Sequence, residues 1–153
     1  MTAFDSGDTR RIQHLVKVHG FARTIGILEG LDEETQLILE AAALIHDIAI
    51  LPCEAELGRC DGQVQEQYGP LYARPVLEDL KFDPKEVERV CWLVGHHHTY
   101  TGIEEIDHQI LVEADFLVNL CEESAGEQAV RRAYEQVFRT ETGCALCRDL
   151  FGL

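Results

Sequence analysis

Apolar residues recur every three or four positions along almost the whole chain, and this spacing is the strongest constraint on the fold. It is typical of amphipathic α-helices, which have about 3.6 residues per turn. No stretch shows the alternation of apolar and polar residues that marks a half-buried strand. The pattern therefore predicts an all-α protein with six or seven helices. The first helix, over residues 8–29, is expected to bury one face, made of Ile12, Leu15, Val16, Phe21, Ile25 and Leu28.

Capping and helix-breaking residues set the predicted boundaries. Gly30 ends the first helix, and Asp32 caps a second helix that runs to about His46. Asp83 and Pro84 start a later helix in the usual order of cap and proline. Loops are predicted over residues 49–65 and 99–105, and further helices over residues 66–80, 84–95, 106–123, 125–138 and 141–150.

Two prolines fall inside the predicted helix over residues 66–80. Pro70 fits the first turn, whereas Pro75 is expected to kink or weaken the helix. The chain contains no internal repeat, no low-complexity tract and no linker long enough to separate domains. We therefore expect a single domain over residues 1–153, a length that suits one hydrophobic core.

The charge balance limits the partners that the surface can have. The 28 acidic residues outnumber the 13 basic residues, which gives a formal net charge of -15. This charge argues against a nucleic-acid polymer or an anionic membrane, but not against a small phosphorylated substrate that meets a bound cation. The segment MTAFDSGDTRR lacks the apolar part of a signal peptide, and no stretch is apolar enough for a membrane span. We expect a cytoplasmic protein, with a homodimer as an open alternative.

The six cysteines offer one alternative function. Cys144 and Cys147 form the only CxxC pair, within the amphipathic segment GCALCRDLF. A zinc or redox module built on this pair is one interpretation. No second CxxC follows, and a chain of this size does not depend on disulfides. We therefore favour reduced cysteines that act as small buried side chains.

The segment ALIHDIAI places His46 and Asp47 side by side in an otherwise apolar run. A buried carboxylate without a partner is costly. His14 and Asp115 lie in similarly apolar surroundings on two other predicted helices. One divalent cation would satisfy all four side chains, since neutral imidazoles and ionised carboxylates are suitable ligands. Adjacent residues point about 100° apart in a regular helix, so a shared ion requires the helix to end or distort at His46.

This ordered set of residues resembles the HD superfamily of metal-dependent phosphohydrolases, and a bacterial branch of it in particular. The shared order is a histidine in RRIQHLVKV, a His-Asp pair in AALIHDIAI and an aspartate in LVEADFLV. The stretches QEQYGPLYAR, VGHHHTY, EADFLVNL and FRTETG extend the resemblance over nearly the whole chain. It implies an HD-like helical bundle around one divalent ion (Fe, Mn, Co, Ni, Zn or Mg) that is held by His14, His46, Asp47 and Asp115.

The resemblance also implies an activity, the hydrolysis of a small phosphate ester by a metal-activated water, and a nucleotide is one candidate ester. Asp47 is a candidate to orient the water. His96 or His97 is a candidate to contact the phosphate or to protonate the leaving oxygen. Glu66 is a candidate for substrate binding or for an additional oxygen ligand. Three other polar residues are expected to support the ligands or to be solvated, namely Glu113, Asn119 and Glu122.

One departure from the family concerns the cation that meets the phosphate. Many relatives continue the pair as His-Asp-Ile-Gly-Lys, whereas this chain reads His-Asp-Ile-Ala-Ile, so that lysine is absent. Arg74 is the preferred replacement, because a guanidinium suits phosphate geometry. Arg11 and Lys17, three residues on either side of His14, are weaker candidates.

A second departure concerns the number of metal ions. Tyr68 lies where two-metal members carry a further histidine, which favours one metal ion. A cyclic-nucleotide-type phosphodiesterase is therefore a weaker alternative. A non-catalytic metal- or nucleotide-binding regulatory protein with the same fold is the alternative of another class, and the absent lysine keeps it open.

Overall fold

The computed structural model describes residues 1–153 and contains only α-helices, which confirms the all-α class. The helices are α1 (Thr9–Leu28), α2 (Glu33–Ile45), α3 (Ile50–Leu57), α4 (Gly62–Asp79), α5 (Pro84–Val94), α6 (Ile106–Glu122), α7 (Glu127–Gln136) and α8 (Glu141–Phe151). Only the turn at residues 46–49 separates α2 from α3. If these two are counted as one interrupted helix, the bundle has seven helical segments, as expected.

The predicted caps are present at the helix ends. The Asp32 carboxylate accepts a hydrogen bond from the Thr35 amide at 2.9 Å, and Gly30 adopts the left-handed conformation between α1 and α2. The Glu86 carboxylate accepts from the Asp83 amide at 2.7 Å, which is half of a capping box at the start of α5. These local signals fixed the boundaries of the first, second and fifth helices.

Two predictions in the middle of the chain are wrong. The predicted loop over residues 49–65 contains α3. Pro52, one of the residues that favoured a loop, is tolerated because it lies in the first turn of this helix, where a missing backbone N–H costs little. The helix α4 begins at Gly62 and runs through Pro70 and Pro75, so Pro70 lies inside the helix and the prediction that it falls in the first turn is wrong. The tight packing of α4 against α5 depends on Gly69, since a Cβ there would lie 2.6 Å from Val94 Cγ1.

A single cluster of 28 buried apolar residues forms the main core, and it includes Cys147 of α8. The helix α1 packs against both α2 and α6, and α2 also packs against α5 and α6. The predicted apolar face of α1 is partly wrong, because Val16 is 51% exposed and Leu28 is 67% exposed. The face that is buried holds His14 and Leu15 together with Val18, Ala22 and Ile25.

Contrary to the expectation from the sequence, the helical segment Glu33–Leu57 is long and apolar enough to cross a membrane by length and composition. However, 61% of its most apolar window is buried inside the bundle. Its apolar residues are therefore already used against the other helices. The segment positions the site, because the turn that interrupts it holds the His-Asp pair.

Candidate metal centre

The four predicted metal-ligand side chains meet at one place inside the bundle. His14 comes from α1, Asp115 from α6, and His46 and Asp47 from the turn after α2. The helix ends at Ile45, so both members of the pair reach the same centre, as the sequence argument required. His46 is 1% exposed, Asp115 3% and His14 7%.

The ligand atoms of these side chains face one another at short range. His14 Nε2 lies 3.2 Å from Asp115 Oδ1 and 3.8 Å from Asp47 Oδ2. His46 Nε2 lies 3.6 Å from Asp115 Oδ1 and 3.7 Å from Asp47 Oδ1. Two atoms that each lie about 2.1 Å from one metal ion are roughly 3.0–3.6 Å apart at coordination angles of about 90–120°. The separations in this structure are close to that range.

The hydrogen bonds of the two histidines leave the same nitrogen free in each ring. His46 Nδ1 lies 3.0 Å from the Ala43 carbonyl oxygen, and His14 Nδ1 lies 3.3 Å from Glu122 Oε2. An oxygen acceptor requires Nδ1–H, so the lone pair of each neutral ring is on Nε2. Those two nitrogens and Asp115 Oδ1 are buried without a hydrogen-bond partner. Buried polar atoms are rarely left unpaired, and a divalent cation satisfies all three together.

The pKa shifts show how strongly the site favours positive charge. Burial lowers the pKa of His46, but the charges of Asp47 and Asp115 outweigh it and raise the pKa to about 9. Burial raises the pKa values of Asp47 and Asp115, but the neighbouring imidazoles, above all His46 for Asp47 and His14 for Asp115, hold both pKa values well below the usual range for an aspartate. Both carboxylates are therefore ionised and available to a cation.

The three consecutive histidines after α5 point in different directions. His97 is 1% exposed, and its Nε2 is buried without a partner 3.7 Å from Asp47 Oδ1. His98 lines the cavity over the cluster. The His96 ring instead stacks on Trp92, with ring centroids 4.1 Å apart. The structure therefore brings His97 to the centre, adds His98, which the sequence did not single out, and does not bring His96.

A cavity of about 420 Å³ lies over the cluster and exposes His14, Asp47 and Asp115. Arg11 also lines it and donates from Nη1 to Asp47 Oδ2 at 3.0 Å. The cavity therefore has a cation at its wall, although the sequence ranked Arg11 below Arg74. The spacing of three residues between Arg11 and His14 was the signal that favoured Arg11, because it places both on one face of α1.

Two other predicted substrate residues do not line this cavity. Arg74 forms a two-pronged pair with Glu88, at 2.8 and 3.0 Å, on the exposed side of α4 and α5. Glu66 instead accepts hydrogen bonds from the His98 amide at 3.1 Å and from the Thr99 hydroxyl at 2.9 Å. Glu66 thus positions the histidine-rich turn, and its carboxylate is committed to that role.

The residues that were expected to support the ligands fall into two groups. Glu122 contacts His14 Nδ1 and also pairs with Lys17, and Asn119 lines the cavity. The Glu113 carboxylate is fully buried but binds the segment before α8, through the Arg139 amide and Thr140. Of the three, only Glu122 is hydrogen-bonded to one of the four side chains of the cluster.

The cysteine pair is not part of a comparable cluster. Cys147 is buried in the core, and both Cys144 and Cys147 are free thiols within α8. The one group of three or more metal-ligand side chains that converge in the structure is His14, His46 and Asp47, with Asp115 beside it. The geometry therefore favours the histidine–aspartate centre over a zinc module on the cysteines.

Comparison with known proteins agrees with this geometry. The family model of the HD domain matches residues 11–132. This range begins at Arg11 and includes all four side chains of the cluster and the histidine-rich turn. No curated protein and no solved structure matches the chain.

Proposed function

Because the chain belongs to the HD domain family, whose members are generally metal-dependent hydrolases, we propose that it is a phosphohydrolase that cleaves a small phosphate ester. One observation carries the proposal. Two imidazoles and two carboxylates from three segments converge, and His14 Nε2, His46 Nε2 and Asp115 Oδ1 are left buried without a partner. We assign His14, His46, Asp47 and Asp115 as the residues that would hold one divalent ion. Bound there, the ion would supply Lewis-acid chemistry, in which it lowers the pKa of water and neutralises phosphoryl charge.

We assign to Arg11 the contact with the substrate phosphate, which in many relatives is made by the lysine that this chain lacks. Its guanidinium lies at the cavity wall, where Nη1 donates to Asp47 Oδ2 and Nε lies 3.8 Å from Asp8 Oδ2. A phosphate oxygen in the cavity would accept a charge-assisted hydrogen bond from this guanidinium. Arg11 also fixes Asp47 through the contact at Oδ2, which leaves this carboxylate oriented to accept a hydrogen bond from the attacking water.

His98 is the histidine that we assign to the leaving oxygen. Burial and the neighbouring His97 lower the pKa of His98 to about 4, so the ring is neutral at pH 7. Burial raises the pKa of Tyr100 to about 12, and its hydroxyl lies 2.8 Å from His98 Nδ1. We assign the tautomer in which this hydroxyl donates to Nδ1 and the ring hydrogen is on Nε2, which is buried without a partner. During hydrolysis the water oxygen bonds to phosphorus and the phosphorus–oxygen ester bond breaks, while Nε2–H donates a hydrogen bond to the leaving oxygen. The attacking water gives up one proton and the leaving oxygen takes up one from solvent, so the protons balance.

The test is a panel of phosphate monoesters assayed with Mn²⁺, Co²⁺, Ni²⁺ and Mg²⁺. We expect metal-dependent release of phosphate from at least one ester. Arg11→Gln should reduce kcat/KM about tenfold or more, because it removes a charge-assisted hydrogen bond to phosphate. Arg74→Gln is the matched control, since its guanidinium already pairs with Glu88 away from the cavity, and it should stay within about twofold of the wild type.

Two results would contradict the proposed activity or the assignment of Arg11. If one equivalent of metal binds and no ester is cleaved, the protein is a metal-binding regulatory protein with the same fold. If neither Arg11→Gln nor Arg74→Gln alters kcat/KM, the assignment of Arg11 to the phosphate is wrong.

A further inference from the structure

A groove of about 780 Å³ runs beside α6, between α7 and the turn that follows the histidines. Tyr100, Phe116 and Leu120 line both this groove and the cavity over the metal cluster. The two spaces therefore adjoin at these three side chains, and a molecule with its phosphate at the cluster would reach the groove by passing Phe116. The helix α6 makes this possible, because Asp115 and Phe116 are adjacent and point about 100° apart.

The entrance to the groove is aromatic. The Tyr100 and Phe116 rings meet edge to face, with centroids 4.9 Å apart at 84°. Tyr100 is 38% exposed, so part of its ring is open to a ligand. Its hydroxyl is held by His98, which limits the movement of the ring. A partly exposed aromatic pair of this kind is a platform on which a planar ring stacks.

The groove also carries two arginines without a carboxylate partner. Arg132 Nε donates only to the Gln128 carbonyl oxygen at 3.3 Å, and Arg139 donates to three backbone carbonyl oxygens at the end of α7. Glu135 also lines the groove, but its carboxylate pairs with neither arginine, and only its backbone carbonyl accepts from Arg139. In contrast, Arg131 pairs with Glu127 at 2.9 Å. The chain has 28 acidic residues for 13 basic ones, so two guanidinium charges that no carboxylate neutralises leave a local site for an anion in this groove.

We propose that this groove selects the leaving group of the substrate, and that the preferred ester carries a planar aromatic ring and, beyond it, a second anionic group. The ring stacks against Tyr100 and Phe116, and the second anion meets Arg132 and Arg139. The inference rests on the proposed phosphohydrolase activity at the adjoining cluster. It narrows the substrate class from any small phosphate ester to an extended aromatic one.

The test compares phenyl phosphate with 6-sulfo-2-naphthyl phosphate, which adds a second ring and a remote sulfonate. The measured quantity is the ratio of kcat/KM for the long ester over the short one, divided by the same ratio of the uncatalysed hydrolysis rates, so that the intrinsic reactivity of each ester cancels. We expect the ratio to exceed one in the wild type. Phe116→Leu should lower it about fivefold through lost stacking, and Arg132→Gln about threefold. Arg131→Gln, the matched control on the same helix, should leave the ratio unchanged.

The outcomes separate this inference from the activity on which it rests. If the wild type cleaves both esters but the ratio is one or less, or if Phe116→Leu and Arg132→Gln do not lower it, the groove does not select the substrate and the phosphohydrolase activity stands. If no ester is cleaved, the proposed function fails. The groove is then tested by the fluorescence of the alcohol 6-hydroxynaphthalene-2-sulfonate with the metal-free protein. Binding that Arg132→Gln weakens and Arg131→Gln does not supports the groove, and equal binding or none overturns it.

Discussion

Two buried carboxylates on α6, only two residues apart, have opposite surroundings. Glu113 accepts hydrogen bonds from Gln109 Nε2, the Arg139 amide, the Thr140 amide and the Thr140 hydroxyl. Asp115 faces His14 Nε2 and His46 Nε2 instead, and its Oδ1 has no hydrogen-bond partner. Both side chains are almost fully buried. The protein itself therefore satisfies one carboxylate and leaves the other for something outside the chain.

The surroundings of Glu113 are built around that carboxylate. A Cβ at position 143 would lie 1.9 Å from Glu113 Oε2, so only glycine fits there without a shift. The comparison teaches that burial of a charge is not by itself a sign of function. The distinguishing feature is whether the hydrogen-bonding capacity of the charged group is met within the fold. The following predictions test this difference, from the largest expected effect to the smallest.

Asp115→Asn should have the largest effect on function. The substitution keeps the shape but removes the charge and offers N–H groups to a site that needs acceptors. We expect metal binding to be lost at micromolar metal and phosphatase activity to fall roughly a thousandfold, because activity requires the bound ion. Metal titration by calorimetry and the phosphate-release assay measure both. Binding and activity at wild-type level would contradict the assignment of Asp115 as a ligand.

Glu113→Gln should show the reverse pattern. The Glu113 carboxylate accepts hydrogen bonds from four donors, and the amide of a glutamine can accept from fewer of them. The substitution therefore leaves buried N–H groups unpaired. We expect the free energy of unfolding to fall by about 2–4 kcal/mol, equally with metal and in EDTA. Urea unfolding followed by circular dichroism gives this value. A loss of stability that appears only with metal present would place Glu113 in the metal site and remove the contrast with Asp115.

Glu122→Ala tests the carboxylate behind His14. Glu122 holds His14 Nδ1 and therefore the ring orientation that presents Nε2 to the centre. The loss of such a supporting group typically lowers metal affinity about 10- to 100-fold. Calorimetric titration with Mn²⁺ measures the change. The matched control is Glu127→Ala, which removes an exposed carboxylate paired only with Arg131; equal effects from both variants would mean that Glu122 does not act through His14.

The pH dependence of metal binding should give the smallest of these effects for each unit of pH. The metal-free protein raises the pKa of His46 to about 9, above its ordinary value of about 6.5. The proton on His46 therefore stabilises the metal-free fold fully below about pH 6.5, and this contribution is lost as the pH rises through about 9. A metal ion must displace that proton, so the affinity for Mn²⁺ should rise about tenfold per pH unit between pH 6.5 and 8.5. An affinity that is constant over this range would contradict the role of His46.

Much of the fold and the centre could be predicted because the relevant signals are local. Asp32, Asp83 and Gly30 act within one turn of their own position. The helical period placed His14 and Asp115 in apolar surroundings, and the need to satisfy buried charges then grouped them with the His-Asp pair. The helix end at His46 followed from the same requirement.

The remaining features depend on tertiary packing, which the sequence alone does not give. The helix α4 continues past Pro75 and packs against α5, whereas the isolated pattern predicted a kinked or weakened helix. The directions of His96 and His97 are set by the turn after α5, where helical phase no longer applies. The sequence favoured Arg74 over Arg11 as the cation for the phosphate, and only the contact of Arg74 with Glu88 shows that Arg74 is already used. These contacts are long-range, and one sequence does not specify them.

The central claim is that two imidazoles and two carboxylates hold a common ion, and anomalous X-ray diffraction from crystals grown with Mn²⁺ tests it most directly. The account predicts one strong anomalous peak about 2.1 Å from His14 Nε2 and His46 Nε2, with oxygens of Asp47 and Asp115 beside it. A peak at another place, or none while ordered water fills the space between these four side chains, would contradict it.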